Sequence, residues 1–252
     1  MKAIILAAGL GTRLKPLTDE LPKAMLPLKD KPLLYYQINW FKKYGITDIA
    51  INLHHLPEKI RSYLGDGSKF NVKITYSYEK ELLGTAGAIK KLEKFFGNEP
   101  FLIFYGDNIT NLDLKQFINF HKEKKGIMTI CLHKKQEDEQ DFGVVTINKN
   151  NQILNFIEKS GSSKMGKLNL VNSGIYIAQP EIFNFISKNK FFDFAYDLFP
   201  LLLQNKKNLF SYIIDCYWAE IGNPEKYEKV KEGIESSKFS FHDLVADINN
   251  RS

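Results

Sequence analysis

The chain has 252 residues, which suits one large α/β domain and a core that needs no metal or disulfide staple. Hydrophobic residues at 44% and charged residues at 25% exclude a disordered chain, a collagen-like repeat and a disulfide scaffold, and no apolar run approaches a bilayer span. Lys+Arg of 35 against Asp+Glu of 29 leaves +6, which fits a solvated lysine-rich surface or an anionic ligand equally well. Two cysteines, Cys131 and Cys216, are too few for a disulfide framework and read as thiols in a reducing compartment.

Ala3 to Leu6 is a short apolar run cut off by Gly9, Gly11 and Arg13, so it reads as a buried first strand of a cytoplasmic protein, not a signal peptide. Pro32 opens a helix over Leu33 to Phe41, with Gly45 past its end. Strands are predicted at Asp48 to Asn52, Val72 to Tyr76 and Phe101 to Tyr105, and helices at Pro57 to Leu64 and Thr85 to Phe95. This alternation predicts parallel βαβ units and an α/β fold. After about residue 126 the rhythm changes. Met128 to Leu132, Val144 to Ile147, Ile153 to Glu158 and Val171 to Ile177 read as strands of a mixed-sheet region with few helices between them. Helices return at Pro180 to Ser187, Phe194 to Leu203 and Pro224 to Glu235. The tail, 236–252, mixes Ser, Asn and charge with scattered apolar residues, and reads as a mobile end or a short docked helix.

The loop after the first strand reads Ala7-Ala8-Gly9-Leu10-Gly11-Thr12-Arg13-Leu14-Lys15-Pro16. Glycines let backbone approach a phosphate, and successive N–H groups can cradle its oxygens. The loop matches neither familiar template. Leu14 stands where the dinucleotide fingerprint wants a glycine, and the Gly-Lys-Ser/Thr of a P-loop is absent. Arg13 is what distinguishes it. The chain has only three arginines, Arg13, Arg61 and Arg251, and one of them sits in this loop. A guanidinium there suits forked recognition of phosphate oxygens. His54 and His55 lack metal-ligand spacing and read as ordinary loop residues. The lysines are interleaved with acids, which argues against a nucleic-acid face.

Gly9-Leu10-Gly11-Thr12-Arg13-Leu14, with Pro16-Leu17-Thr18, Pro22-Lys23, Pro27 and Lys31-Pro32, resembles the signature of sugar-1-phosphate nucleotidylyltransferases. The resemblance continues at Leu83-Gly84-Thr85-Ala86-Gly87, Gly106-Asp107, Phe142-Gly143-Val144, Glu158-Lys159 and Asn172-Ser173-Gly174-Ile175-Tyr176. It ends at Tyr217-Trp218-Ala219-Glu220-Ile221-Gly222-Asn223-Pro224. It implies a Rossmann-like three-layer sandwich with a mixed, mostly parallel central sheet, as one domain over 1–235. A nucleotide-binding half would run to about residue 126 and a sugar-phosphate-binding half over 127–235. Many members carry a C-terminal left-handed β-helix, and this chain is expected to have none.

The reaction so implied is attack by a sugar 1-phosphate oxygen on the α-phosphorus of a nucleoside triphosphate, with pyrophosphate leaving. Stabilising the added charge is the main demand. The resemblance assigns Arg13 to the triphosphate, Lys23 to the α-phosphate region and Lys159 to the sugar phosphate. It places the nucleotide against Leu6, Ala8, Gly9, Gly11, Thr12, Arg13, Glu79, Gly84 and Thr85. Asp107 ends a strand and, with Glu220, would bind Mg²⁺, although Glu220 stands where the family has aspartate. Gly143, Glu158, Asn172 and Gly174 would line the sugar. Relatives that use dTTP or UTP tend to have glutamine where Glu79 stands. An acceptor-only carboxylate suits guanine, which offers N1–H and N2–H₂ side by side. The Glu79-x-Glu81-x-Leu83-Gly84-Thr85-Ala86-Gly87 run and Tyr217-Trp218 before Glu220 resemble the mannose-1-phosphate guanylyltransferase branch, and heptose-1-phosphate guanylyltransferases resemble the loop equally well, which implies GTP and a sugar 1-phosphate as substrates. A glucose-1-phosphate thymidylyl- or uridylyltransferase is the alternative enzyme, and a non-catalytic regulatory subunit of the same fold the alternative of another class. No membrane partner is expected, and a homo-oligomer is left open.

Overall fold

The computed structural model describes residues 1–134, 144–157 and 170–235. The expected α/β architecture forms, with a mixed sheet and helices on both of its sides. Two compact units divide the chain, and neither is a continuous stretch. One comprises Lys2–Glu81, Tyr105–Leu112 and the described part of the stretch from Cys216 onward. The other comprises Leu82–Phe104 and the described parts of Asp113–Asp215. Among the described residues no helix is long and apolar enough to cross a membrane.

The first unit is built on three parallel strands. Lys2–Leu6 pairs with Asp48–Leu53, and that strand pairs with Lys73–Tyr78. Ala3, Ile4, Ile5, Ile49, Ala50 and Ile51 are fully buried, as expected of parallel strands covered on both faces. Parallel neighbours need crossover connections, and the helices Leu33–Lys43 and Pro57–Leu64 supply them. Leu33–Lys43 starts after Pro32, whose fixed φ suits the entry to a helix. It stops where Gly45 turns left-handed at φ 72° and Ile46 N–H donates to Phe41 O at 3.0 Å. Leu34, Ile38 and Phe41 lie three or four residues apart and are fully buried; each such side chain contributes about 1.5–3 kcal/mol.

The second unit is organised by Leu170–Ala178. This strand runs antiparallel to Phe101–Tyr105, Met128–Lys134 and Val144–Ile147. Ile153–Ile157 returns antiparallel on Val144–Ile147. Leu209–Ile213, a strand missing from the expected series, pairs parallel with Met128–Lys134. The helix Leu114–Lys124 was also not expected. Its signal is present in the sequence: Asp113 caps it by accepting from Lys115 and Gln116 N–H, and Leu114, Phe117 and His121 are buried at helical spacing.

Three expected helices differ in form. Thr85 to Phe95 divides into Gly84–Lys91 and Glu93–Phe96 around Leu92. Pro180–Phe185 is a 3₁₀ helix that stops short of Ser187. Phe194 to Leu203 begins as a π turn, Phe194–Leu198, and becomes α-helical over Phe199–Gln204. Pro200 lacks the N–H that a regular helix would donate four residues back, and the wider turn lies next to that gap. Glu158, expected to end a strand, lies outside the described residues, as does the tail 236–252.

His121 is 1% exposed, between Thr129 and Gln179. The Gln179 amide donates to Nε2 at 2.9 Å, which leaves the proton on Nδ1 to donate to Thr129 Oγ1 at 2.8 Å. Burial pushes the imidazole pKa down to about 4. The unfolded chain would protonate this ring near 6.5, so its contribution is complete above that pH and is lost as pH falls toward 4. His121→Gln should therefore flatten the fall in unfolding free energy between pH 7 and pH 4, by up to about 3 kcal/mol. Denaturant titrations of both proteins at the two pH values measure this, and an unchanged difference would rule out His121 as the source.

Candidate active site

The loop leaving Lys2–Leu6 is shaped by one glycine that must turn left-handed. Gly11 has φ 65°, and a Cβ there would lie 2.8 Å from Thr18 Cγ2. Thr18 Oγ1 donates to Gly11 O at 2.8 Å, and Leu14 N–H donates to the same oxygen at 2.9 Å. The turn Thr12–Leu14 buries Leu14 fully and leaves the Arg13 side chain 62% exposed. At Gly9 an added Cβ would meet nothing within 4 Å, so packing does not demand that glycine.

Asp107 is held by its neighbours. Gly106 N–H donates to Leu6 O at 2.9 Å, and a Cβ on Gly106 would come 2.7 Å from that oxygen, so only glycine lets the strands approach this closely. The buried Gln37 amide, on the helix Leu33–Lys43, donates to Gly106 O at 3.1 Å and Asn108 O at 2.8 Å. These carbonyls flank Asp107 on either side. Asn108–Thr110 pairs antiparallel with Trp218–Glu220, and Ile221 N–H donates to Asp107 O at 2.8 Å. That short ladder brings Glu220 beside Asp107.

Two cations complete the cluster. Lys23, on the turn Lys23–Met25, reaches Asp107 Oδ2 at 2.9 Å, and both side chains are largely covered. Arg13 Nη2 lies 3.9 Å from Glu220 Oε1. Burial raises the pKa of Glu220, the Asp107 charge raises it further, and Lys226, Lys23 and Arg13 oppose the shift. Gly222 makes room for this carboxylate, because a Cβ there would run into Glu220 Oε1. Two repelling carboxylates at a strand end are a hard-oxygen donor pair, which fits Mg²⁺, an ion that takes one or two carboxylates plus phosphate oxygens. Among the described residues no group of three or more His, Cys, Asp or Glu is placed to hold a metal ion.

Glu79, the residue expected to accept from the base, is covered by its neighbours. It is 1% exposed, and its Oε1 accepts from Asn52 Nδ2 at 2.8 Å. Asn52 Oδ1 in turn accepts from Ala7 N–H at 2.7 Å. His54 Nδ1 lies 2.9 Å from Glu79 O, and His55 Nε2 lies 2.8 Å from Thr18 O. A carbonyl only accepts, so both rings donate. The two histidines, read as ordinary from sequence, anchor loops on either side. Asn52 and Gln37 went unnoticed because neither belongs to a motif, and no local pattern marks their partners.

Gly84, Thr85, Asn172 and Gly174 belong to the second unit. Gly84 has φ 72°, and a Cβ on it would lie 2.6 Å from Phe192 O. Ala86 and Gly87 N–H both donate to that carbonyl at 2.9 Å. Thr85 Oγ1 donates to Asp193 Oδ2 at 2.7 Å and accepts from Phe194 N–H at 2.9 Å. In this structure the motif expected to bind nucleotide seats the segment before the π turn. Asn172 and Gly174 form an irregularity in the ladder with Met128–Lys134, where Asn172 Oδ1 accepts from Gly174 N–H and Nδ2 donates to Tyr176 Oη at 2.7 Å. Gly143, Glu158 and Lys159 lie outside the described residues.

The family described as Nucleotidyl transferase matches residues 2–237, and the chain belongs to it. It is 37% identical over 230 residues to D-glycero-alpha-D-manno-heptose 1-phosphate guanylyltransferase of Campylobacter jejuni, a match covering 90% of this chain and 97% of that one. It is 36% identical over 246 residues to UTP–glucose-1-phosphate uridylyltransferase of Synechocystis, covering 93% of this chain but only 63% of that relative's length. The crystal structure of HddC from Yersinia pseudotuberculosis complexed with GMP-PN superposes with a TM-score of 0.77 at 29% identity, over 92% of this chain and 98% of that one.

Gln37→Leu leaves the Gly106 and Asn108 carbonyls without their shared buried donor. Unpaired buried groups cost about 1–3 kcal/mol each, so stability in urea should fall by about 2–4 kcal/mol. A loss under 0.5 kcal/mol would mean that the Asp107 turn holds without this amide.

Proposed function

We propose that this chain is a sugar-1-phosphate nucleotidylyltransferase. A sugar 1-phosphate oxygen attacks the α-phosphorus of a nucleoside triphosphate, the bond to the bridging oxygen breaks, and pyrophosphate leaves. The observation that carries this reading is the cluster of Arg13, Lys23, Asp107 and Glu220. It lies past the carboxyl ends of strands, where open α/β sheets take their ligands.

Arg13 is the exposed, forked donor for the leaving pyrophosphate, and Lys23 stabilises charge near the α-phosphate. The open space around Gly9 leaves room for phosphate to approach the backbone. Asp107 and Glu220 would hold Mg²⁺, which when bound neutralises phosphate charge. Lys159, with Glu158 and Gly143, keeps the role of sugar-phosphate contact by resemblance. Among bases, guanine is favoured by the Campylobacter relative and by HddC complexed with GMP-PN, with a heptose or mannose 1-phosphate as acceptor. The Synechocystis relative supports UTP with glucose 1-phosphate as the second reading. A non-catalytic subunit would not need both cations and both carboxylates kept together.

A panel of hexose and heptose 1-phosphates against GTP, UTP, dTTP and ATP, read by pyrophosphate release with Mg²⁺, should show turnover, with GTP preferred. Silence across the panel would favour the regulatory-subunit reading. Asp107→Asn should lower the turnover number at least about a hundredfold, the scale of losing one charge-stabilising group, while the protein still melts cooperatively. Near-normal turnover in that variant would reduce Asp107 to a turn residue.

A further inference from the structure

Asn52 is the penultimate residue of Asp48–Leu53, the middle strand of the parallel three, and is 4% exposed. Its partners are the first residues beyond the two flanking strands. Ala7 follows Lys2–Leu6, and Glu79 follows Lys73–Tyr78. One amide thus bridges the two loops that leave the sheet on either side of it, accepting from one and donating to the other. The next residues extend the bridge. Glu79 N–H donates to Leu53 O at 2.8 Å, and His54 holds the Glu79 carbonyl. His55 holds Thr18, whose hydroxyl in turn fixes Gly11.

Strand packing alone does not call for this arrangement. Apolar residues hold the same three strands together along the rest of their length, and a buried polar group is costly unless fully bonded. The polar bridge occurs only at the carboxyl ends, where its effect is to fix loop geometry. An amide can accept from a backbone N–H and donate to a carboxylate at once.

We propose that Asn52 is a positioning residue for the nucleotide. It sets the Gly9–Gly11 loop and the Glu79 loop in a single arrangement, so that triphosphate and base are recognised together. This rests on the transferase reading and deepens it. Glu79 then acts from beneath the site, by shaping its own loop.

The test is a reversal of polarity. Asn52→Asp loses the donor and sets two carboxylates against each other. In Asn52→Asp/Glu79→Gln the introduced carboxylate accepts from both Ala7 N–H and the introduced amide, so the bridge is rebuilt with its charge moved. Binding of GTP and UTP is measured by calorimetry, and KM for each substrate by pyrophosphate release. Asn52→Asp should weaken nucleotide binding by about tenfold or more, with the sugar-phosphate KM within about twofold, and the double variant should regain most of the loss. A folded Asn52→Asp protein with wild-type nucleotide affinity, or a double variant no better than the single, overturns the proposal. If Asn52→Asp does not fold, the double variant is set against wild type directly: near-equal affinity supports the bridge and a tenfold deficit overturns it. Wild-type protein that binds nucleotide without turnover sinks the transferase reading alone, because the binding comparison still stands. Wild-type protein that binds neither nucleotide sinks both.

Discussion

Asp107 and Glu220 are held side by side although they repel, and much of the first unit serves to keep them there. Glu220 is mostly covered, and burial together with the neighbouring charge makes its ionised form costly. Opposing that cost are Lys226, then Lys23, which also contacts Asp107 directly, and the more distant Arg13. Buried charges that survive this way are seldom there for stability, because apolar residues of similar volume would serve it as well. Under the proposed transferase reading, the charges are kept for polyanionic phosphate and a divalent cation.

The cluster draws on segments far apart in the chain, and the parts that hold it are short. A three-residue strand against another three-residue strand, one glycine at a close approach and one buried amide fix the Asp107 backbone. None of these has the length or periodicity that marks an element in sequence. The βαβ elements of the first unit were legible for the opposite reason: Ile4 and Ile49 lie in continuous apolar runs, Ile74 in an alternating one, and Pro32 and Gly45 bracket a helix by fixed backbone preference.

The change of rhythm near residue 126 was legible too, and it marks the passage from parallel to antiparallel pairing on Leu170–Ala178. The strand Leu209–Ile213 was not: no motif marks it, and its partner Met128–Lys134 lies far back in the chain. At the candidate site the motifs supplied residue names, while the partners that hold those residues were not legible. The resemblance assigns Glu79 and Thr85 to the nucleotide, and in the structure Glu79 accepts from Asn52 while Thr85 donates to Asp193. Whether a polar side chain faces a ligand or a neighbouring loop depends on long-range partners, and no local pattern encodes those.

The late return of the chain to the first unit has a consequence for biosynthesis. Glu220 and the strand that carries it pair with Asn108–Thr110 only after the whole of Asp113–Asp215 has been made. Such non-local closure is slow compared with forming the neighbouring helices. A nascent chain therefore carries the Gly9–Gly11 loop, Arg13 and Lys23 well before it has a second carboxylate to set against Asp107. Until Trp218–Glu220 docks, Arg13 and Lys23 are present without the second carboxylate of the pair.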